Sequence, residues 1–290
     1  MDTNMGNSYE HLREWVGKRE TRHDTVTRWP VTALAATVDD GSVKVEAGAP
    51  LPPGWHWLYF LEAKAAAELG RDGHPMRGGF LPPVPLPRRM WAGGRIAFVR
   101  PLEIGQDITR ESEILSVEPK TGRSGTLVFV TVRHTVHASG QTAIVEEQDI
   151  VYREAAQKGD SLPPGKAAPT GAQWQREVRA DTVMLFRYSA LTFNGHRIHY
   201  DKDYATAEEH YPGLVVHGPL QATLLLDLCR QKAAKALKKF EYRAQHPMFA
   251  GEKLTVNGNF DASTATADIW TANSAGNYAM RGTAVFDRHA

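Results

Sequence analysis

Between Arg187 and Ala205 the chain reads RYSALTFNGHRIHYDKDYA, placing an amide (Asn194), two imidazoles (His196, His199), a guanidinium (Arg197) and a carboxylate (Asp201) within eight residues. An imidazole titrates near neutrality, so it can take a proton from water and return it. Asn194 can accept and donate hydrogen bonds but cannot take a proton, which suits it to orient water. A histidine near a helix entrance can also do no more than satisfy backbone groups. The pattern His196-x-x-His199-x-Asp201 has the look of a metal-ligand cluster as well, though no HExxH arrangement accompanies it. No GxSxG elbow is present for serine hydrolase chemistry.

The apolar run GLVVHGPLQATLLLDL, Gly213 to Leu228, follows and reads as a buried helix. Its start, Val216-His217-Gly218-Pro219, offers free backbone N–H groups and the positive end of a helix dipole, which favour an anion. Gly218 permits close approach of an oxygen. Gly-Pro is equally a common way merely to begin a helix.

Phe193-Asn194-Gly195-His196-Arg197-Ile198-His199, with Ala205 beyond it, resembles the hydratase motif of the MaoC-like (R)-specific enoyl-CoA hydratases. There an aromatic and a small residue precede Gly-Asp-x-Asn-Pro-(Ile/Leu/Val)-His. Ile198 and His199 are kept, whereas the acidic position falls on Asn194 and the Asn-Pro pair on His196-Arg197. That variant looks like the branch of type 2 hydroxyacyl-thioester dehydratases and of mesaconyl-C4-CoA and itaconyl-CoA hydratases. The resemblance implies an α+β double hot-dog and reversible hydration of an enoyl-CoA without metal or redox cofactor. His199 would be general base/acid, Asn194 would position water, and the Gly218 N–H would hold charge on the thioester oxygen. His196, Arg197, Val216 and His217 would line the substrate; Arg197 could face a substrate carboxylate or pair with Asp201 or Asp203. A hot-dog acyl-CoA thioesterase, a 3-hydroxyacyl-ACP dehydratase of fatty-acid synthesis and a metal-dependent hydrolase stand as alternatives.

The elements around the motif read as two copies of helix followed by antiparallel sheet. Residues 8 to 22 suggest a short entry helix, and VTALAATV, Val31 to Val38, bears a vague likeness to SALTFNGH without the amide and the histidines. WHWLYFLEAKAAAELG, 55 to 70, carries a helical period with alanines that favour helix and Gly70 as a stop. Arg71 to Arg89 is too rich in Gly and Pro for a regular element and reads as a crossing loop, in which Arg88 and Arg89 could reach an anionic part of a substrate. From Gly94 strand-like alternation sets in, clearest in Thr126–Val132, with hairpins expected at 122–125 and 139–140. Ala155 to Thr170 reads as a linker between a degenerate first module, 1–154, and a second, 171–290, that holds the motif. Arg100-Pro101-Leu102-Glu103-Ile104-Gly105 parallels His246-Pro247-Met248-Phe249-Ala250-Gly251, which supports an internal repeat.

Thirty-four basic against thirty-three acidic residues among 290 give no general attraction for nucleic acid or an anionic membrane. The single cysteine, Cys229, excludes an intramolecular disulfide and a cysteine zinc cluster, and suits a reducing, cytoplasmic setting. No stretch approaches the roughly twenty apolar residues of a membrane span. The basic residues Arg230, Lys232, Lys235, Lys238 and Lys239 read as a solvated helix face or, less simply, as a docking patch for coenzyme A phosphates. The resemblance implies an acyl-CoA substrate as the partner, and self-association is left open.

Overall fold

The computed structural model describes residues 6–122, 125–155, 159 and 162–288. Among these residues, ten strands form one antiparallel sheet, and the helices named below are counted over the same residues. They are β1 (Arg19–Thr25), β2 (Arg88–Phe98), β3 (Asp107–Gly122), β4 (Gly125–Ala138), β5 (Gln141–Arg153), β6 (Trp174–Arg179), β7 (Leu237–Ala244), β8 (Lys253–Asp261), β9 (Thr266–Ala272) and β10 (Tyr278–Phe286). Their order, β1-β3-β4-β5-β2-β7-β10-β9-β8-β6, is the same five-strand pattern twice, joined back to back at the β2–β7 seam. The alternation read in Thr126–Val132 places Val128, Val130 and Val132 in the core beneath a half-exposed outer face. Three α-helices accompany the sheet: α1 (Arg28–Thr37), α2 (Thr182–Leu191), which touches α1, and α3 (Gly218–Lys232), which lies on β6–β10 and β2. All ten residues of α3 from Leu220 to Cys229 are buried, polar ones included, because the helix is enclosed by the curved sheet.

The hexapeptide repeat is structural. Gly105 (φ +100°) donates its N–H to Val26 O just before α1, and Gly251 (φ +86°) donates to Ala180 O just before α2. Both glycines sit in left-handed backbone that a side chain would strain. Leu51 N–H bonds Leu102 O at 2.7 Å as Val216 N–H bonds Met248 O at 2.8 Å, so the chain enters both sheets in the same way. The likeness of VTALAATV to SALTFNGH is out of register, because Val31–Val38 falls on residues 185–192 when α1 is matched to α2. Both helices end, turn through a left-handed residue (Asp39, φ 57°; Phe193, φ 47°) and close with a side-chain oxygen accepting the N–H two residues on.

Three expectations are corrected. Residues 8 to 22 are not one helix: a 3-10 helix ends at Trp15, Gly17 turns the chain, and β1 begins at Arg19 to pair with β3. The helix over 55–70 is reduced to single turns at Trp55–Leu58 and Ala66–Glu68. Its apolar period is not used for packing, since Leu61 and Leu69 are exposed, and Phe60 is held left-handed at φ 59°. Trp55, by contrast, is drawn into the core against α3, its Nε1 donating to Asp227. The rest of the stretch, Trp57, Tyr59, Phe60, Ala66 and Leu69, lines a cavity over β4 and β5, and local propensity yields to that placement. Finally, β2 begins at Arg88, not Gly94. The expected hairpin at 122–125 falls partly on 123 and 124, and the linker partly on 156–158, 160 and 161, outside the described residues.

Candidate active site

The motif hangs from the end of α2. Asp181 caps that helix by accepting the Met184 N–H at 2.9 Å, and the left-handed turn at Phe193 throws the chain back towards the sheet. Asn194 Oδ1 accepts the His196 N–H at 3.0 Å, an Asx turn that fixes the amide. One 3-10 turn, Arg197–His199, then brings His199 under the strand-like entry to α3.

His199 Nδ1 lies 2.7 Å from Val215 O. A carbonyl can only accept, so Nδ1 carries the proton and Nε2 presents a lone pair, with no protein partner among the described residues. Burial pulls the His199 pKa down to about 4, so the ring is neutral at pH 7. His217 stacks on it, with ring centroids 3.6 Å apart, and is itself anchored by Ser189 Oγ at 2.8 Å from Nε2. His217 caps α3, whose first residue, Gly218, has an N–H that donates to no protein acceptor among the described residues. The Trp91 ring covers this point so closely that a Cβ on Gly218 would lie 3.0 Å from it.

The crossing loop supplies what the motif lacks. Gly73 and Gly195 meet backbone to backbone: a Cβ on Gly195 would lie 2.7 Å from Gly73 O. Arg197 N–H donates to Asp72 O at 2.9 Å. This clamp sets His74 against His196, with ring centroids 4.2 Å apart. Asp72 holds His74 through both its backbone N–H (3.0 Å) and its Nδ1 (3.2 Å), and those contacts keep the Asp72 carboxyl well below the usual carboxylate range. Asp72, His74 and His196 form the one group with three candidate ligand atoms within 4.8 Å among the described residues. Arg89 faces both histidines and opposes added positive charge there, whether a metal ion or a proton. The His196/His199/Asp201 metal set does not assemble: His199 Nδ1 is tied to Val215 and Asp201 to Arg197.

His74, Asn194 and Gly195 line a cavity of about 1370 Å3, while His196, His217 and Gly218 sit behind the lining residues Gly195, Ser189 and Pro219, and His199 is buried behind His217. Asn194, Gly195, Ser189, Tyr188 and Pro219 come from the second half, and His74, Arg89, Trp91 and Tyr152 from the first. Arg110, His134, Glu146 and Gln148 make one part of its wall polar, and the exposed Phe186, Phe193 and Met76 also line it. Arg89 contacts the Tyr152 hydroxyl and pairs with no carboxylate among the described residues.

The other residues singled out in the sequence lie elsewhere. Arg197 is held by Asp201 through Nε and Nη2 at 2.9 and 2.7 Å and stacks on Tyr204, facing away from the cavity. Arg88 is buried in an ion pair with Glu209 at 2.6 Å, because successive strand residues point to opposite faces and Arg89 takes the cavity side. Val216 packs in the core and contributes its backbone. Of the basic run, Arg230, Lys235 and Lys238 border a second cavity of about 440 Å3 beside Ser42, remote from the motif. Asp72, His74 and Trp91 escaped the sequence reading. A His two residues after an Asp in a Gly-rich loop was the one trace of them.

A double hot-dog carrying a buried neutral histidine, an amide fixed in an Asx turn and a free N–H at a helix start is the setting in which the chain's relatives are to be read. Solved structures agree on the fold: a MaoC-like dehydratase superposes with TM-score 0.70 at 16% identity, covering 95% of this chain and 99% of that one. A Mycobacterium tuberculosis protein described as a double hotdog fold gives 0.56 at 11% identity over 93% and 96%. The family model for hydroxyacyl-thioester dehydratase type 2 matches residues 54–250, and the chain belongs to that family. It is 48% identical over 235 residues to the mesaconyl-C(4)-CoA hydratase of Chloroflexus aurantiacus, spanning 81% of this chain and 84% of the relative. It is 28% identical over 281 residues (85% and 93%) to the mitochondrial hydroxyacyl-thioester dehydratase type 2 of Schizosaccharomyces pombe. The protein is a hydro-lyase, and its fold is α+β.

Proposed function

We propose that this enzyme hydrates a short enoyl-CoA whose acyl group bears a free carboxylate, of the mesaconyl-C4-CoA or itaconyl-CoA kind, and dehydrates the corresponding hydroxyacyl-CoA. The observation that carries the reaction is the His199 Nδ1–H bond to Val215 O, which reserves Nε2 for a water. The Asn194 amide, its oxygen engaged by His196 N–H, offers its NH2 to hold that water. The Gly218 N–H, at the positive end of α3, stabilises the oxygen on which negative charge collects as hydroxide adds to the β-carbon. No step in this scheme calls on a metal or a redox group.

Arg89 is the carboxylate contact. It faces the cavity without an acidic partner, whereas Arg197 and Arg88 are both neutralised by neighbours. The polar side chains of Arg110, His134 and Gln148 on the cavity wall favour a short polar acyl group over a long alkyl chain. Residues 1–154 and 171–290 are the two modules. The first has given up its own site and supplies the wall opposite the motif. The fused pair thereby contains the pairing that a single module would seek in a partner. The lone buried Cys229 supports a reducing, cytoplasmic setting.

The test is to offer crotonyl-CoA, itaconyl-CoA and both mesaconyl-CoA isomers and to weigh the products by mass spectrometry. Gain of water that requires His199 and favours the carboxylated substrates is expected. Release of free coenzyme A would replace this reading with a thioesterase.

A further inference from the structure

Hydration moves two protons: one leaves the water at the β-carbon and one must arrive at the α-carbon. His199 has one unengaged nitrogen for both, and Asn194, at the position where the resembling motif is acidic, can transfer neither. The structure holds another group of the right kind. His74 lines the cavity, faces His196 and is bonded to a carboxylate through Nδ1, which leaves Nε2 free for exchange. Other titratable neighbours are engaged: Asp201 with Arg197, and His217 with Ser189 and the face of His199.

We propose that His74, oriented by Asp72, is the second acid–base group of this centre, giving the α-carbon its proton in hydration and removing it in dehydration. The inference rests on the hydratase reading above. His199 Nε2 takes a proton from water as the water oxygen bonds to the β-carbon. The C=C electron pair moves towards the thioester oxygen at Gly218 as an enolate, and the α-carbon then takes the proton of His74 Nε2–H. His74 is left neutral and His199 protonated. His196 lies between them, with centroids 5.4 Å from His199 and 4.2 Å from His74, and returns the proton. The imidazolium of His74 is balanced by Asp72.

Arg89 gives this arrangement selectivity. Burial and the Arg89 charge both lower the His74 pKa, while Asp72 raises it. A substrate carboxylate on Arg89 cancels the repulsion, so the acyl group that fits also makes His74 easier to protonate.

The test compares wild type with His74→Ala and His74→Gln, all shown to fold by their melting temperatures. Loss of a positioned acid–base group costs on the order of a hundredfold or more in kcat with little change in KM. Added imidazole should restore part of the His74→Ala rate, and restoration should vary with the pKa of substituted imidazoles. His74→Gln, which can still donate to Asp72, should remain as slow. A rate within about threefold of wild type in His74→Ala, or a loss that no imidazole repairs, overturns the proposal while leaving the hydratase reading intact. A wild type inert towards every enoyl thioester removes both.

Discussion

Residues 38–42 and 192–196 take the same course, helix end, left-handed turn and side-chain-to-backbone closure, yet one packs between the two halves of the chain and the other borders the large cavity. In the first copy the closing residue is Asp40, buried, bonded to Ser42 and Gln231 and ion-paired with Arg230 at the end of α3; these contacts hold its pKa down to about 2. In the second it is Asn194, uncharged, beside open space. A carboxylate closed in by a guanidinium becomes a clasp between modules, whereas an amide leaves its neighbours free for a substrate. The same backbone can serve either end, so the difference lies in what the other module brings to the turn. It brings Arg230 to one and the Asp72–His74 loop to the other.

Substitutions should separate the two turns. The largest effect is expected from His199→Ala, a loss of roughly a thousandfold in kcat with the fold kept; an active variant would show that the second turn is also structural. Asp40→Ala should do the reverse, costing about 3 kcal/mol in denaturant unfolding by stranding Arg230, with kcat unchanged. The paired glycines sharpen the contrast. A Cβ on Gly195 collides with Gly73 O, while one on Gly41 meets nothing within 4 Å. Gly195→Ala should therefore displace the His74 loop and lower kcat about tenfold or more, a 1 Å misplacement being costly, and Gly41→Ala should be silent in the same assay. Arg89→Gln should raise KM for a carboxylated thioester by about tenfold and leave crotonyl-CoA nearly untouched.

The smallest effect is in the pH dependence of stability. Burial depresses the pKa of His196, His199 and His217 below the value of an unfolded chain. Each adds stability that is present above about pH 6.5 and lost as pH falls through its folded pKa, about 4 for His199. Asp227, sealed under α3, is pushed the other way, up to about 7. Its contribution is complete below about pH 4 and is lost as pH rises towards 7, opposing the histidines in the same window. Asp227→Asn should thus steepen the loss of stability between about pH 6.5 and 4, read as urea midpoints at several pH values. An unchanged slope would mean that Asp227 is ionised in the fold.

Much of this was legible without coordinates, because the signals are short in range. The alternation of Thr126–Val132, the glycine at each end of the hexapeptide repeat and the Gly-Pro start of α3 are fixed by pleat, left-handed backbone and helix-start chemistry within a few residues. The spacing of Asn194 and His199 is of the same kind: one Asx turn and one 3-10 turn place them. The stretch 55–70 shows the limit, since its helical period is real and still yields to long-range contacts such as that of Trp55 with Asp227 of α3.

What tertiary structure alone decided is which residues share the cavity. Nothing in the sequence near Asn194 announces that Gly73 will press on Gly195, that Arg89 and not Arg88 will face inward there, or that His74 will stand beside His196. Those partners meet across more than a hundred residues, through a loop without periodicity, and their meeting is set by sheet closure at the β2–β7 seam. Turn and helix chemistry is paid for locally and so leaves a local trace; contacts between modules are paid for by the whole core and leave none.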